Sequence, residues 1–393
     1  MALLDLLKKS PDQLQDKQVQ QLIAFAGSGK LVDDSECSAE FRAFLGSVAS
    51  ANLKNYVDQC LNQTFPDSGL ALQDIVNEIG ARLGAEVTPG RYRGTSKHLG
   101  FDGLWKFGNG HSIVTEVKTT DAYRIDLNTI ADYRKALIDN GAIASKDASS
   151  MLLIVGRQDT GDLEAQIRGS RFAWDIRIVS VNALLRLLSI KEEVEDPQII
   201  QRIHSILVPR EFTRLDEIVD VLFSTAEDIK QEDTEVEEVV PVDKKSKEPK
   251  FKPVAFHEAC ISRIQAHLKE NLIKRTRAQY STPDKMLVVN CAVSKEHDPD
   301  TTPNYWFAFH PHQRDVLKQA SRGFVAFGCG SSRRLLLIPF LAFDQWLDGF
   351  WTTQKEDRFY WHVVIYRKEE KYTLHRKKGV KDVDLTKYLL TEE

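Results

Sequence analysis

The sequence predicts an α/β protein: a mixed sheet flanked by helices, with an N-terminal helical region before it and a C-terminal α+β domain after it. Three observations carry this expectation. Strand-like and helix-like runs alternate after a hairpin signal in the first half, a charged block interrupts the chain, and aromatic-rich strands mixed with helices follow it. A chain of 393 residues exceeds one ordinary hydrophobic core. The expected divisions are a helical region at 1–66, an α/β domain at 67–225, a charged flexible linker at 226–253 and an α+β recognition or sensor domain at 254–393.

The helical region rests on "PDQLQDKQVQQLIAFAGSGK" and "SAEFRAFLGSVASANLKNYVDQCLNQTF", whose apolar residues recur every three or four positions. "GSGK" is not a phosphate loop. Leu31 follows Lys30 where a hydroxyl should hold magnesium, and Ala24 occupies the place of the first glycine, so a glycine at a helix C-terminus is the better reading. "SGLALQDIVNEIGARLG" then gives one amphipathic helix with a stripe of Leu72, Ile75, Val76, Ile79 and Leu83 that stops at Gly84. A hairpin follows. Beyond it come the helix "DLNTIADYRKALIDNG", the buried strand "SMLLIVG", the helix "DLEAQIRGSRFA", the strand "DIRIVSV", and helical material from "NALLRLLSIKEE" through "TRLDEIVDVLFSTAEDI".

The block "EDIKQEDTEVEEVVPVDKKSKEPKFKP" has few residues able to pack and reads as a solvated linker. The last domain opens with the helix "FHEACISRIQAHLKENLIKRTRAQY". Its strands "NYWFAF" and "FYWHVVIY" read as core strands rather than base-stacking platforms, because aromatic and apolar residues share both faces.

Composition narrows the function classes. Hydrophobic residues make up 42% and charged residues 28%, which suits a globular chain, and a formal net charge of −4 excludes a globally basic nucleic-acid binder while leaving local basic surfaces open. Five dispersed cysteines without a CxxC pair point to reduced structural thiols, and hence a cytoplasmic location. No run of 18 apolar residues is present, so no membrane span is expected.

The chemistry concentrates in "IVTEVKTT". "WKFGNGHSIV" places Gly108, Asn109 and Gly110 between two strand-like runs, so Phe107 should pair with His111. Counting outward, Asp102 falls opposite Glu116 on one face, where like charges repel. Two carboxylates at that separation can chelate a hard divalent cation, which removes the repulsion and polarises a phosphate. Lys118 shares the face of Glu116 and can offset charge growing in a phosphoryl transition state. Val117 points inward and offers its backbone carbonyl as a further ligand.

Asp102, thirteen intervening residues and then Glu116-Val117-Lys118, preceded by a helix and followed by a helix and two strands, resemble the PD-(D/E)xK nuclease superfamily of restriction-endonuclease-like folds. The resemblance covers 69–181. It implies magnesium, with manganese as a substitute, held by Asp102 and Glu116, and a catalytic Lys118. An acid on the preceding helix often assists in such folds, and Glu78 is the matching position, about 100° round the helix from the centre of the apolar stripe. Phe101 replaces the family's proline, and Thr129 stands four residues before Tyr133 where the RecB-like branch has a glutamine.

Further DNA contacts are expected of Arg93 and Lys97 in the glycine-bounded loop before Asp102, of Tyr133 and Arg134 on the following helix, and of Lys274, Arg275, Arg277 and Lys377 in the last domain. Each has a plainer reading as a solvated or core-edge residue. His310 and His312 lack partners at zinc spacing. The resulting expectation is a metal-dependent endonuclease that hydrolyses phosphodiesters of double-stranded DNA in restriction or anti-phage defence, with homo-oligomers left open. The alternatives are a DNA repair or recombination nuclease and a non-catalytic DNA-binding scaffold with a nuclease-like fold.

Overall fold

Helices form first because the opening residues repeat their apolar side chains at helical spacing. They are α1 (Ala2–Lys9), α2 (Val19–Phe25), α3 (Glu36–Leu45), α4 (Ser50–Asn62) and α5 (Ser68–Leu83). Gly46, as the C-cap of α3, divides the second long helical stretch into two. The glycines of "GSGK" lie just past α2 with positive φ, so they turn the chain out of a helix, and the Gly27 amide donates to Glu40.

The computed structural model describes residues 2–208 and 253–391, apart from 15, 64, 95–98, 120–124, 157–160, 298–301 and 356–357. The expected helix at 213–229, nearly all of the expected linker, and Lys97 lie outside these. The chain divides into two compact units, Met1–Glu192 with Gln198–Ser224 and Glu193–Pro197 with Thr225–Glu393.

In the first unit, β1 (Glu86–Pro89), β2 (Gly103–Lys106), β3 (Ser112–Lys118), β4 (Ser149–Val155) and β5 (Ile176–Ser180) form one mixed sheet in chain order. β1 to β3 are antiparallel neighbours. β3, β4 and β5 are parallel, joined by the crossover helices α6 (Leu127–Asp139) and α7 (Gly161–Arg168). Helices α8 (Val181–Glu192) and α9 (Pro197–Ile206) complete the described part of this stretch.

Every residue of the predicted stripe on α5 is fully buried, and one apolar cluster runs from Leu3 through α5 to Trp105, Ile154 and Leu188. The region 1–66 therefore shares its core with the sheet. A second cluster, with Val114, Ile130, Leu153 and Leu163, sits on the other face. The sheet is a layer between helices, and strand β4, flanked by β3 and β5, is buried along its whole length.

The second unit begins with α10 (Pro253–Leu268) and holds a mixed sheet of β6 (Ile273–Lys274), β7 (Gln279–Ser281), β8 (Leu287–Ser294), β10 (Arg322–Cys329) and β11 (Leu335–Pro339). An antiparallel sheet of β9 (Asn304–Phe309), β12 (Thr352–Lys355), β13 (Arg358–Lys368), β14 (Lys371–His375) and β15 (Val383–Asp384) accompanies it, with helices α11 (Pro311–Gln319) and α12 (Phe340–Asp344). α10 stops well short of its expected length: Lys269 adopts a left-handed φ of 55°, and Gln265 caps the Leu272 amide. Lys274, Arg275 and Arg277 consequently lie on and after the short strand β6. Helices accompany one mixed and one antiparallel sheet in this unit, so the chain as a whole is of mixed helix-and-strand class. Among the described residues no helix is long and apolar enough to cross a membrane, and all five cysteines are buried free thiols.

Candidate active site

The turn at Gly108–Gly110 sets everything downstream. The Gly110 amide bonds the Phe107 carbonyl at 3.0 Å with φ at 81°, and the Phe107 amide bonds the His111 carbonyl at 3.0 Å. The ladder then runs Lys106 opposite Ser112 to Gly103 opposite Thr115, which is the predicted register. Asp102 follows, its amide bonded to the Thr115 carbonyl at 3.2 Å, and so comes to stand beside Glu116.

β2 ends there, leaving the last three residues of β3 without a strand on that edge. The Asp102 carboxylate takes its place, accepting the Val117 amide on Oδ2 at 2.6 Å. A strand residue directs its N–H and C=O to the same edge, so the Val117 carbonyl faces the side occupied by Asp102. Lys118 donates from Nζ to Glu116 Oε1 at 2.6 Å. The Lys118 side chain remains 38% exposed and that of Glu116 14%, so the pair opens to solvent through the lysine.

The electrostatics are strained in one direction. Burial raises the Asp102 carboxyl above the usual carboxylate range and Glu116 raises it further, against the pull of the Val117 amide and of Lys118. Burial works against the Lys118 charge, yet Glu116 and then Asp102 hold the ammonium above the ordinary lysine range. Glu116 Oε2 is buried without a hydrogen-bond partner. A buried carboxylate oxygen left so, beside a second carboxylate that resists ionising, is the donor set a hard divalent cation would satisfy. Asp102, Glu116 and the Val117 carbonyl thus fit such an ion, although among the described residues no group of three or more His, Cys, Asp or Glu side chains converges anywhere.

The remaining candidates divide. Tyr133 belongs to the site: burial, then Glu116 and Asp102, raise its phenol, and a Cβ at Gly100 would lie 3.1 Å from its hydroxyl. Glu78 does not. Its Oε1 pairs with Arg82 Nε at 2.7 Å, and Arg82 is anchored on the Leu45 and Val48 carbonyls, so Glu78 is held on the α3–α4 side of α5. Helix α5 instead presents Gln73 and Asn77, which both donate to the Asp102 carbonyl, at 3.1 and 2.9 Å. Asn77 also accepts the Trp105 indole N–H at 2.9 Å. These two buried amides, at i and i+4, lie on a flank of α5 away from the apolar stripe.

Arg134 is also corrected. It is buried, with Nη2 3.4 Å from Asp175, and presents no surface to a phosphate. Arg93 is exposed. In the second unit Lys274 pairs with Glu193, Arg275 bonds Ser281 Oγ and the Thr282 carbonyl, and Arg277 and Lys377 are partly exposed. His312 contacts buried Glu195 at 3.5 Å and serves the core.

No family model matches this chain, and no curated protein or solved structure is significantly similar to it.

Proposed function

We propose that the first unit is a metal-dependent nuclease that hydrolyses phosphodiester bonds of double-stranded DNA, with magnesium the expected ion and restriction or other genome defence the expected setting. The observation that carries the reading is the juxtaposition of Asp102, Glu116 and Lys118 at the uncovered edge of β3, with one Glu116 oxygen buried and unsatisfied. The element order from α5 through β5 supports it, being the helix, antiparallel meander, crossover and parallel strand of restriction-endonuclease-like folds.

A divalent cation held by Asp102, Glu116 and the Val117 carbonyl would supply Lewis-acid polarisation of the phosphate and a bound water of lowered pKa. The protein's own groups do the rest. Lys118 keeps its proton and sets a positive charge where the phosphorane-like transition state gains negative charge. Gln73 and Asn77 hold the Asp102 backbone, so the carboxylate cannot drift from the Val117 amide. The Tyr133 phenol stays protonated and can donate to a phosphate oxygen. In-line attack forms a bond from water oxygen to phosphorus, and the bond to the leaving sugar oxygen breaks.

The test is incubation of the full chain with circular and linear duplexes, with and without magnesium. Magnesium-dependent cleavage lost in Glu116→Ala is expected. DNA binding without cleavage, unaltered by that substitution, would return the unit to a scaffold.

A further inference from the structure

Strands β9 and β13 were expected to be core on both faces, and only one face is. Tyr305, Phe307, Phe309, Val363 and Ile365 are buried, while Trp306, His310, Tyr360, His362 and Tyr366 alternate with them and remain partly exposed. The ladder sets Trp306 opposite Val364, Ala308 opposite His362 and Asn304 opposite Tyr366. Small Ala308 therefore lies between Trp306 and His310 along one strand and beside His362 on the next. None of the apolar clusters of the described residues includes Trp306, Tyr360, His362 or Tyr366.

These rings are held in place. The Trp306 indole N–H donates to His362 Nδ1 at 3.0 Å, and His362 Nε2 meets Thr353 Oγ1 at 2.7 Å. Trp306 and Tyr360 stand edge to face with centroids 6.2 Å apart, and Tyr360 lies 5.0 Å from the His362 ring. A rigid, half-wet aromatic face loses little entropy on binding a flat ligand. The chain at its border is rich in cations, Lys371, Arg376, Lys377, Lys378 and Lys381; Asp382 beside them is bound by His375 and the Arg376 amide, and the Lys377 amide is tied to the Gly349 carbonyl at 2.8 Å, near exposed Trp351. Trp351 in turn packs on His375, centroids 5.1 Å apart, which brings the basic turn to the edge of the aromatic face.

We infer that the outer face of β9 and β13 is a platform on which unpaired nucleobases of a single strand stack, with the basic turn after β14 holding the phosphates. Stacking rings alone would suit many flat ligands. An adjoining cluster of cations, whose neighbouring acid Asp382 is already engaged by His375 and the Arg376 amide, favours the one that carries a negative charge per base. The inference goes beyond the cleavage reading and stands without it, since binding of this kind uses no carboxylate.

The test is fluorescence anisotropy of the full chain with labelled oligo-dT, oligo-U and a duplex of equal length, over a range of salt. Single strands should bind at least tenfold more tightly than the duplex. Trp306→Ala should weaken single-strand binding about tenfold, and Trp306→Phe should preserve most of it, from the usual worth of one stacked base. Lys377→Glu with Lys378→Glu should weaken binding and flatten its salt dependence. Glu116→Gln, which disables the proposed cleavage, should leave binding unchanged and so separates the two readings. A preference for dT or for U supports the platform and identifies the strand. Tyr360→Ala and Trp306→Ala chains that melt as the parent does and bind single strands as tightly as it does would overturn it. If Trp306→Ala does not fold, Tyr360→Ala and Trp306→Phe decide.

Discussion

Lys118 and Asp102 make different demands on the same few ångströms. Among the described residues the Lys118 ammonium bonds Glu116 alone, and it is partly exposed, so Lys118→Ala should leave unfolding unchanged within ~1 kcal/mol. Cleavage should fall by ~10²–10³, the usual loss on removing one preorganised electrostatic contributor. A Lys118→Ala chain that cuts DNA at the parent rate would remove the lysine from the chemistry. Asp102, whose carboxyl is raised by burial and by Glu116, behaves oppositely. A carboxyl raised above its unfolded value of 3.8 binds its proton more tightly when folded, so stability should decline as pH rises from about 4 toward neutrality and level off beyond the raised value. In chelator, Asp102→Asn should abolish that decline and match or exceed the parent's stability near pH 7, while cleavage is lost. Denaturant melts of both chains across this pH range provide the check. A large destabilisation at all pH values would make Asp102 a structural partner of Val117 instead.

At the scale of elements, two contacts decide how helices and strands are placed. Gly80 in α5 touches fully buried Trp105 of β2, and a Cβ there would come within 2.4 Å of the indole ring. Alanine favours a helix over glycine by ~1 kcal/mol, but forcing a methyl into a packed contact costs ~1–3 kcal/mol. Gly80→Ala should therefore destabilise the first unit and, by moving Asn77 and Gln73, reduce cleavage as well; a more stable, fully active variant would show that β2 can yield. In the second unit, fully buried Glu195 accepts from Thr276 Oγ1 and the Ala278 amide and meets Gln313 at 3.4 Å. Burial pushes its carboxyl up, but His312, Thr276 and the Ala278 amide outweigh it and bring the value to about 2. A depressed carboxylate stabilises above its unfolded value of 4.5, and that contribution disappears as pH falls toward 2. Glu195→Ala should cost ~3 kcal/mol by leaving buried donors unpaired. It should also reduce the acid sensitivity of this unit in that window, measured by following the tryptophan fluorescence of unfolding.

For the whole molecule, the division into two compact units makes the second one separable in function. A chain ending near Asp228 keeps Asp102, Glu116 and Lys118 and loses Lys274, Arg275, Arg277, Arg376, Lys377 and Lys378. It should retain its melting transition but bind DNA more weakly, with a shallower dependence on salt because fewer phosphates are neutralised. Salt titrations of the two chains compare this directly. Equal affinity and equal slope would place recognition within the first unit.

Hairpin register, the α5 stripe and the Asp102–Glu116–Lys118 set were legible in the sequence because they depend on local periodicity. A glycine turn fixes which residues face each other, and every later pair follows by counting. What depended on rotation about a helix or on distant partners was not legible. Glu78 and Gln73 both lie off the stripe of α5, and only packing against α3, α4 and β2 decided that Arg82 would claim the glutamate and that the amides would face Asp102. Strand β1, four residues ending in a proline, had too little pattern to be seen until β2 paired with it. Arg134 reads as a surface charge until Asp175, more than forty residues later in the chain, buries it. The same limit separates the two faces of β9 and β13. Aromatic alternation predicts strands, but which face meets a core and which meets solvent depends on what other elements pack there, and that information is spread over the entire second unit.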